Sequence, residues 1–263
     1  NKNESNKVKK KFRIIKYKPN IKPALKLKNI SKAFEGRPIL QDLHLSLQPG
    51  SINGLLGENG SGKTTLFSLI VGTLKADSGE IFAKGGALIS NLPIHERCRK
   101  FRISYVPQKL SLLSGLSCQD NIRGLCQITM NDNRKIEEIC DRLLTEFSLL
   151  DVAKVRASEL SGGQAKRLSI ARALINDPDI ILFDEIFAAL SPKIVDTLKK
   201  LIMNLQTSRK SLTILISDHI YNHILDLADS VHILSDGHII KSDLPANIIK
   251  DPSSIKAYFG SSS

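Results

Sequence analysis

The stretch Gly57-Glu58-Asn59-Gly60-Ser61-Gly62-Lys63-Thr64-Thr65 restricts the possible folds of this 263-residue chain more than any other. Its spacing is that of a phosphate-binding loop, a pattern that gains meaning when a buried strand precedes it and a helix follows. Both flanks are present, since Ile52 to Leu56 is an apolar run of strand length and Lys63 to Gly72 reads as a helix. Glycines in such a loop let backbone N–H groups converge on phosphate oxygens at a helix N-terminus, where the dipole also favours an anion. Lys63 is then expected at the β- and γ-phosphates and Thr64 at Mg²⁺. Gly57, Asn59, Gly60, Ser61, Gly62 and Thr65 complete the expected cradle.

The surrounding pattern predicts an α/β fold. Leu25 to Lys28 and Leu43 to Leu47 alternate apolar and polar residues with period two, as half-exposed strands of an antiparallel edge do. Ile180 to Phe183 and Leu212 to Ile216 are short, continuously apolar runs, as in strands buried on both faces. Helical stretches separate them, which calls for a parallel sheet with crossover helices. From about residue 109 to 160 the strand pattern stops, and Ile136, Ile139, Cys140, Leu143 and Leu144 recur at helical spacing. This predicts an inserted α-helical subdomain in a P-loop nucleotide-hydrolase core with a mixed or parallel sheet. Val231 to Leu234, the Asp236-Gly237 turn and Ile239-Ile240 predict a hairpin, with a helical tail after it.

Charge narrows the function classes. There are 38 Lys and Arg against 26 Asp and Glu, a net charge of +12 that often marks nucleic-acid or anionic-membrane binding. Residues 1–23 hold nine of the bases and only Glu4 among the acids, so the remaining body is close to balanced. That segment reads as a basic, flexible arm, either solvated or lying on anionic headgroups or a partner. No apolar run approaches the roughly 20 residues that span a bilayer. Cys98, Cys118, Cys126 and Cys140 have no paired or zinc-ligand spacing, which favours reduced thiols in a cytosolic setting.

Two further motifs carry chemistry. Ile180-Ile181-Leu182-Phe183-Asp184-Glu185 puts two acids at the C-terminal end of a buried strand, the edge where ligands bind in α/β sheets. Asp184 suits Mg²⁺, and Glu185 suits the proton of an attacking water. Leu160-Ser161-Gly162-Gly163-Gln164 starts a helix, with Ser161 as its N-cap and free N–H groups suited to a γ-phosphate.

With these motifs in this order, the chain resembles the ATPases of ABC transporters over residues 25–259. The resemblance implies ATP and Mg²⁺ as ligands, and it implies roles for three more residues. Gln108 matches the glutamine that contacts Mg²⁺ or water and senses the membrane partner. His219 matches the histidine at the γ-phosphate, and Phe34 the aromatic that stacks on adenine. It also implies a homodimer that closes head to tail on ATP, so that Ser161, Gly162, Gly163 and Gln164 serve the other copy's nucleotide. Integral membrane permease subunits on the cytoplasmic face of the inner membrane complete the implied assembly, with no nucleic acid. The domain boundaries are then 1–23 for the arm, 24–260 for the ATP-binding domain and 261–263 for a tail. Leu92-Pro93-Ile94-His95 and the ending Tyr258-Phe259-Gly260 are similar to the lipopolysaccharide-export branch, with branched-chain amino acid importers as close competitors.

Some positions depart from the family. Ile186 stands where Pro is usual, and Ser191 replaces an aspartate that links the two nucleotide sites. Leu113-Ser114-Gly115 replaces an aromatic and arginines in the groove for the membrane partner. His219 and His223 are four apart, expected on one helix face, which is also metal-ligand spacing.

Overall fold

In the computed structural model, which describes residues 22–251, the alternating segments pair as expected. β1 (Leu25–Phe34) and β2 (Arg37–Leu47) are antiparallel, with Leu25 opposite Leu47 and Leu27 opposite Leu45. β3 (Ile52–Leu56) runs into the glycine loop, and α1 (Lys63–Val71) leaves it. The chain then forms β4 (Ser78–Ala83), β5 (Ala87–Leu88), α2 (Ile94–Lys100) and β6 (Ile103–Val106). The region after β6 is built from α3 (Cys118–Thr129) and α4 (Asn133–Glu146), with one isolated bridge between Ser117 and Arg156. α5 (Gly162–Ala173), β7 (Ile180–Asp184), α6 (Pro192–Ser208), β8 (Thr213–Asp218) and α7 (Tyr221–Leu225) follow. The described chain finishes with β9 (Ser230–Ser235), β10 (His238–Asp243) and the single turn α8 (Pro245–Ile248). The basic arm up to Ile21 and the Tyr258-Phe259-Gly260 ending lie outside the described residues.

Two sheets result. The antiparallel one has the order β2-β1-β4-β5, and the larger one the order β10-β9-β3-β8-β7-β6. In the larger sheet only the β9–β10 pair is antiparallel. Every residue of β3, β7 and β8 is buried, as strands covered on both faces require. One face of this sheet, with Leu55, Leu182 and Leu215, packs with α1 and the antiparallel sheet. The other, with Ile181, Phe183, Ile214 and Ile216, packs with α5, α6 and the helical insertion.

α1 is gripped between the two sheets. Leu66, Phe67, Leu69, Ile70 and Val71 are all buried, so the helix is apolar nearly all round rather than amphipathic. Its C-terminus is closed by the almost fully buried guanidinium of Arg97, which donates to the carbonyls of Leu69 at 2.6 Å and Ile70 at 2.9 Å. The same group donates to Ser90 and Leu92 carbonyls at 2.8 Å each. Gly72 ends the helix at φ 89°, and a Cβ there would lie 2.8 Å from Arg97 Nε, so both conformation and space demand glycine. A rigid α1 fixes the loop that precedes it.

Candidate functional site

Parallel pairing brings the C-terminal ends of β3, β8, β7 and β6 together. Leu56 aligns with Asp218, Asp184 with Ser217, and Val106 with Phe183. The loops leaving these ends enclose a cleft of about 700 Å³. Asn59, Gly60, Gly62, Lys63, Thr64 and Thr65 line it from the glycine loop, with Gln108, Glu185 and His219 from the neighbouring strand ends and Phe34 from β1. Ile39 and Ala188 also line it, and neither was expected from the sequence. Ile39 is there because β2 lies against the loop: a Cβ on Gly62, at φ 104°, would come 2.8 Å from Leu40 Cδ2 and 3.2 Å from the Ile39 carbonyl. Gly57 and Ser61 face a neighbouring cavity of about 270 Å³ or the loop interior instead. The enclosed Ser61 hydroxyl has no hydrogen-bond partner among the described residues.

Lys63 is buried, and its ammonium donates to the carbonyls of Gly57 at 2.7 Å and Glu58 at 2.9 Å. Burial holds its pKa below the usual lysine value, against the opposing pull of Glu185, Asp184 and Asp218. Behind the loop the Asp184 carboxylate is 1% exposed. It accepts from Thr64 Oγ1 at 2.9 Å, from Ser217 Oγ at 2.6 Å and from the Tyr105 hydroxyl at 3.2 Å. Burial first, and Asp184 second, push the Tyr105 phenol upward, so it stays a neutral donor. Tyr105 and Ser217 lie inside motifs visible in the sequence, but nothing in their spacing marks them as partners of Asp184.

Glu185 turns away from the strand at φ 46°, an unusual backbone state for a side chain of its size. Its amide is held by the Ser217 carbonyl at 3.1 Å and the Ser217 hydroxyl at 3.2 Å. Gln108 Nε2 donates to Glu185 Oε2 at 2.6 Å, and His219 Nδ1 lies 3.8 Å from the same oxygen. Three residues singled out for chemistry thus meet at one carboxylate. A buried cation, Lys166 of α5, adds weak contacts to the Gln108 and Glu185 carbonyls at 3.4 and 3.5 Å. Burial lowers its pKa, while Glu185, Asp218 and Asp184 oppose that shift.

His219 and His223 do not share a helix face. His219 precedes α7, which starts at Tyr221, because Asp218 Oδ1 captures the Ile220 amide at 2.8 Å and delays the helix. Each histidine turns Nδ1 toward a different Asp218 oxygen, at 3.6 and 3.5 Å. Among the described residues no group of three His, Cys, Asp or Glu side chains is arranged to hold a metal ion. The four cysteines are free thiols.

Ser161 caps α5 in a reciprocal box: its Oγ accepts from the Gln164 amide at 3.4 Å and the Gln164 side chain accepts from the Ser161 amide at 2.8 Å. Ser161, Gly162, Gly163 and Gln164 are not among the residues lining the Lys63 cleft of the same chain. Ile186 is fully buried and belongs to the core between sheet and helices. Ser191 is exposed at the N-cap of α6, ahead of Pro192, and its hydroxyl makes no capping bond.

Residues 40–188 match the protein family described as ABC transporter. The lipopolysaccharide export system ATP-binding protein LptB of Escherichia coli (strain K12) is 38% identical over 239 residues, covering 90% of this chain and 97% of its own length. Among solved structures, MJ1267, an ATP-binding cassette of an ABC transporter in its ADP conformation, is similar with a TM-score of 0.82 and 26% identity, covering 90% of this chain and 99% of that one. A dimeric post-hydrolysis state of the cassette MJ0796, bound to ADP and Pi, is similar with a TM-score of 0.75 and 25% identity, covering 84% and 98%.

Proposed function

This chain belongs to the ABC transporter ATP-binding proteins, and we propose that it is the ATP-hydrolysing subunit that powers a separate membrane permease for lipopolysaccharide export. The cargo is read from the likeness to LptB, which extends over nearly the whole of that protein. The chemistry is read from the meeting of Gln108 and His219 at Glu185 Oε2, on the cleft that Lys63 and Thr64 also line.

In this reading Phe34 meets the adenine, and the loop from Gly57 to Thr65 wraps the phosphates with Lys63 at their charge. Hydroxyl and carboxylate oxygens of Thr64 and Asp184, 2.9 Å apart at the start of α1, are donors of the kind a hard cation takes. They would hold Mg²⁺ with Gln108, and the ion would neutralise phosphate charge when bound. Glu185 takes a proton from the attacking water, and His219 donates to the γ-phosphate. Little covalent work falls to the protein, so positioning and charge carry the rate. Ser161, Gly162, Gly163 and Gln164 complete the site of a second copy, so hydrolysis waits on closure of a homodimer. ATP binds the closed dimer better than the open one, and that difference moves the permease. Residues 24–260 form the ATP-binding domain, with the helical subdomain at about 109–160, and the assembly sits on the cytoplasmic face of the inner membrane. Among the described residues no helix is long and apolar enough to cross a membrane.

The test is Glu185→Gln in the purified chain. ATP binding persists, the protein elutes as a dimer in ATP, and turnover falls by about 10²-fold or more. Unchanged steady-state hydrolysis removes Glu185 from the proton-accepting role. Purification with the native membrane partner tests the cargo, since an importer-type permease with a binding protein overturns lipopolysaccharide export.

A further inference from the structure

Phe34 is the last residue of β1, just before a turn in which Glu35 and Gly36 have φ of 49° and 79°. It is 42% exposed, so apolar packing alone holds only part of the ring. Lys32, two residues earlier and therefore on the same strand face, sets its ammonium 5.4 Å from the ring centroid. That lies within the roughly 6 Å reach of a cation–π contact. The ammonium is itself anchored, with Asp77 Oδ1 2.7 Å away.

Asp77 does more than pair a charge. Its Oδ2 accepts from the Ala33 amide at 2.7 Å, and its own amide donates to the Ser31 carbonyl at 2.9 Å. The β1–β4 pairing slips between Lys28 and Ser31, and its last matched pair is Ser31 with Ser78. Beyond that point the aspartate takes the place of the missing ladder. Its carboxyl is held below the usual range, first by the hydrogen bond from Lys32 and next by that from the Ala33 amide. The end of β1, the lysine and the aromatic ring therefore form one connected unit at the rim of the cleft.

We propose that Asp77 and Lys32 are a clasp that presets the Phe34 ring for the base of the bound nucleotide, which makes both of them positioning residues for base recognition. The proposal rests on Phe34 as the base platform. A ring already fixed loses less conformational freedom when the ligand arrives, and that saving reaches only the base, not the phosphates.

Titration calorimetry of the full chain with ATP, and separately with inorganic tripolyphosphate, tests this. Lys32→Met weakens ATP by about 3- to 5-fold and leaves tripolyphosphate unchanged, because the latter engages only the glycine loop. KM for ATP rises with it while kcat stays the same, and Lys32→Arg, which keeps a cation, restores affinity. Asp77→Asn acts in the same direction and is not additive with Lys32→Met. Phe34→Ala weakens ATP more, and in that background Lys32→Met has no further effect. If Phe34→Ala leaves ATP affinity intact, the base platform itself is wrong. If Phe34→Ala weakens ATP but Lys32→Met and Asp77→Asn do not, only the clasp is overturned. Equal losses for ATP and tripolyphosphate in Lys32→Met place Lys32 at the phosphates and also overturn it.

Discussion

His232 lies in the interior, with Nδ1 2.8 Å from Ser242 Oγ of the opposing strand and Nε2 enclosed with no hydrogen-bond partner among the described residues. Burial pushes its pKa from 6.5 down to about 4. Lys63 and Lys166 are also lowered by burial, but three carboxylates partly offset the shift in each, whereas burial is the only cause acting on His232. The consequence for stability has a definite sign. Above pH 6.5 the imidazole is neutral in both folded and unfolded chains, and its effect on pH dependence vanishes. Below that value the unfolded chain binds a proton that the folded chain refuses, so stability falls as pH drops toward 4. Between pH 7 and pH 5 this one residue accounts for about 2 kcal/mol of lost stability. Urea unfolding at the two pH values checks it, with His232→Gln as the reference that lacks the proton site. Identical pH slopes in the two proteins would show that His232 is not the source.

At the level of elements, the start of α5 combines a structural duty with a proposed functional one. Ser161→Ala removes a capping hydroxyl and costs about 1 kcal/mol of stability. Ser161→Asp keeps a capping oxygen, since aspartate is as good an N-cap, but sets a negative charge where the γ-phosphate of a second copy is proposed to sit. Its unfolding midpoint stays near wild type while ATP-driven dimerisation, read by size-exclusion chromatography, is lost; normal dimerisation would remove the signature segment from phosphate binding. The cap itself was legible, because a serine directly ahead of a helical stretch is a favoured N-cap, while the reciprocal bond from Gln164 emerges only in the structure. So were β3, β7 and β8, whose unbroken apolar runs leave little choice, and the β9–β10 hairpin with positive φ at Asp236 and Gly237. β4, β5 and β6 carry no clear strand signal in the sequence. β6 is four residues long with Ser104 and Tyr105 only half-buried, and the first three residues of β4 are exposed, so neither shows a clean period. The helix through His219 failed for a local reason, a side chain competing for the Ile220 amide. Lys166 was invisible because a lysine on a helix reads as solvent-facing, and only tertiary packing puts Gly163, Lys166 and Ile170 on one buried face.

Over the whole molecule, the parallel sheet gathers the phosphate loop, both acids, Gln108 and His219 at one edge, while the segment from Ser161 to Gln164 stays off that cleft. In the proposed homodimer this segment serves the nucleotide of the second copy, so communication between the two sites would run through contacts between the copies. The resemblance places Ser191 where the family has the aspartate that links the sites, and here it is exposed at the N-cap of α6 with its hydroxyl not engaged in capping. An uncharged side chain at this place weakens the link between the two sites, so the Hill coefficient of wild-type turnover lies below that of Ser191→Asp. Ser191→Asp should be tolerated structurally: aspartate suits an N-cap ahead of Pro192 at the first helical position, and its charge favours the helix dipole by about 0.5 kcal/mol. It should also strengthen the coupling, moving the Hill coefficient toward the limit of about 2 set by two sites. Steady-state hydrolysis over a range of ATP concentrations, together with the thermal midpoint, separates the two effects. A variant that gains stability with an unchanged Hill coefficient would mean that the sites communicate without this position, through contacts made elsewhere between the copies.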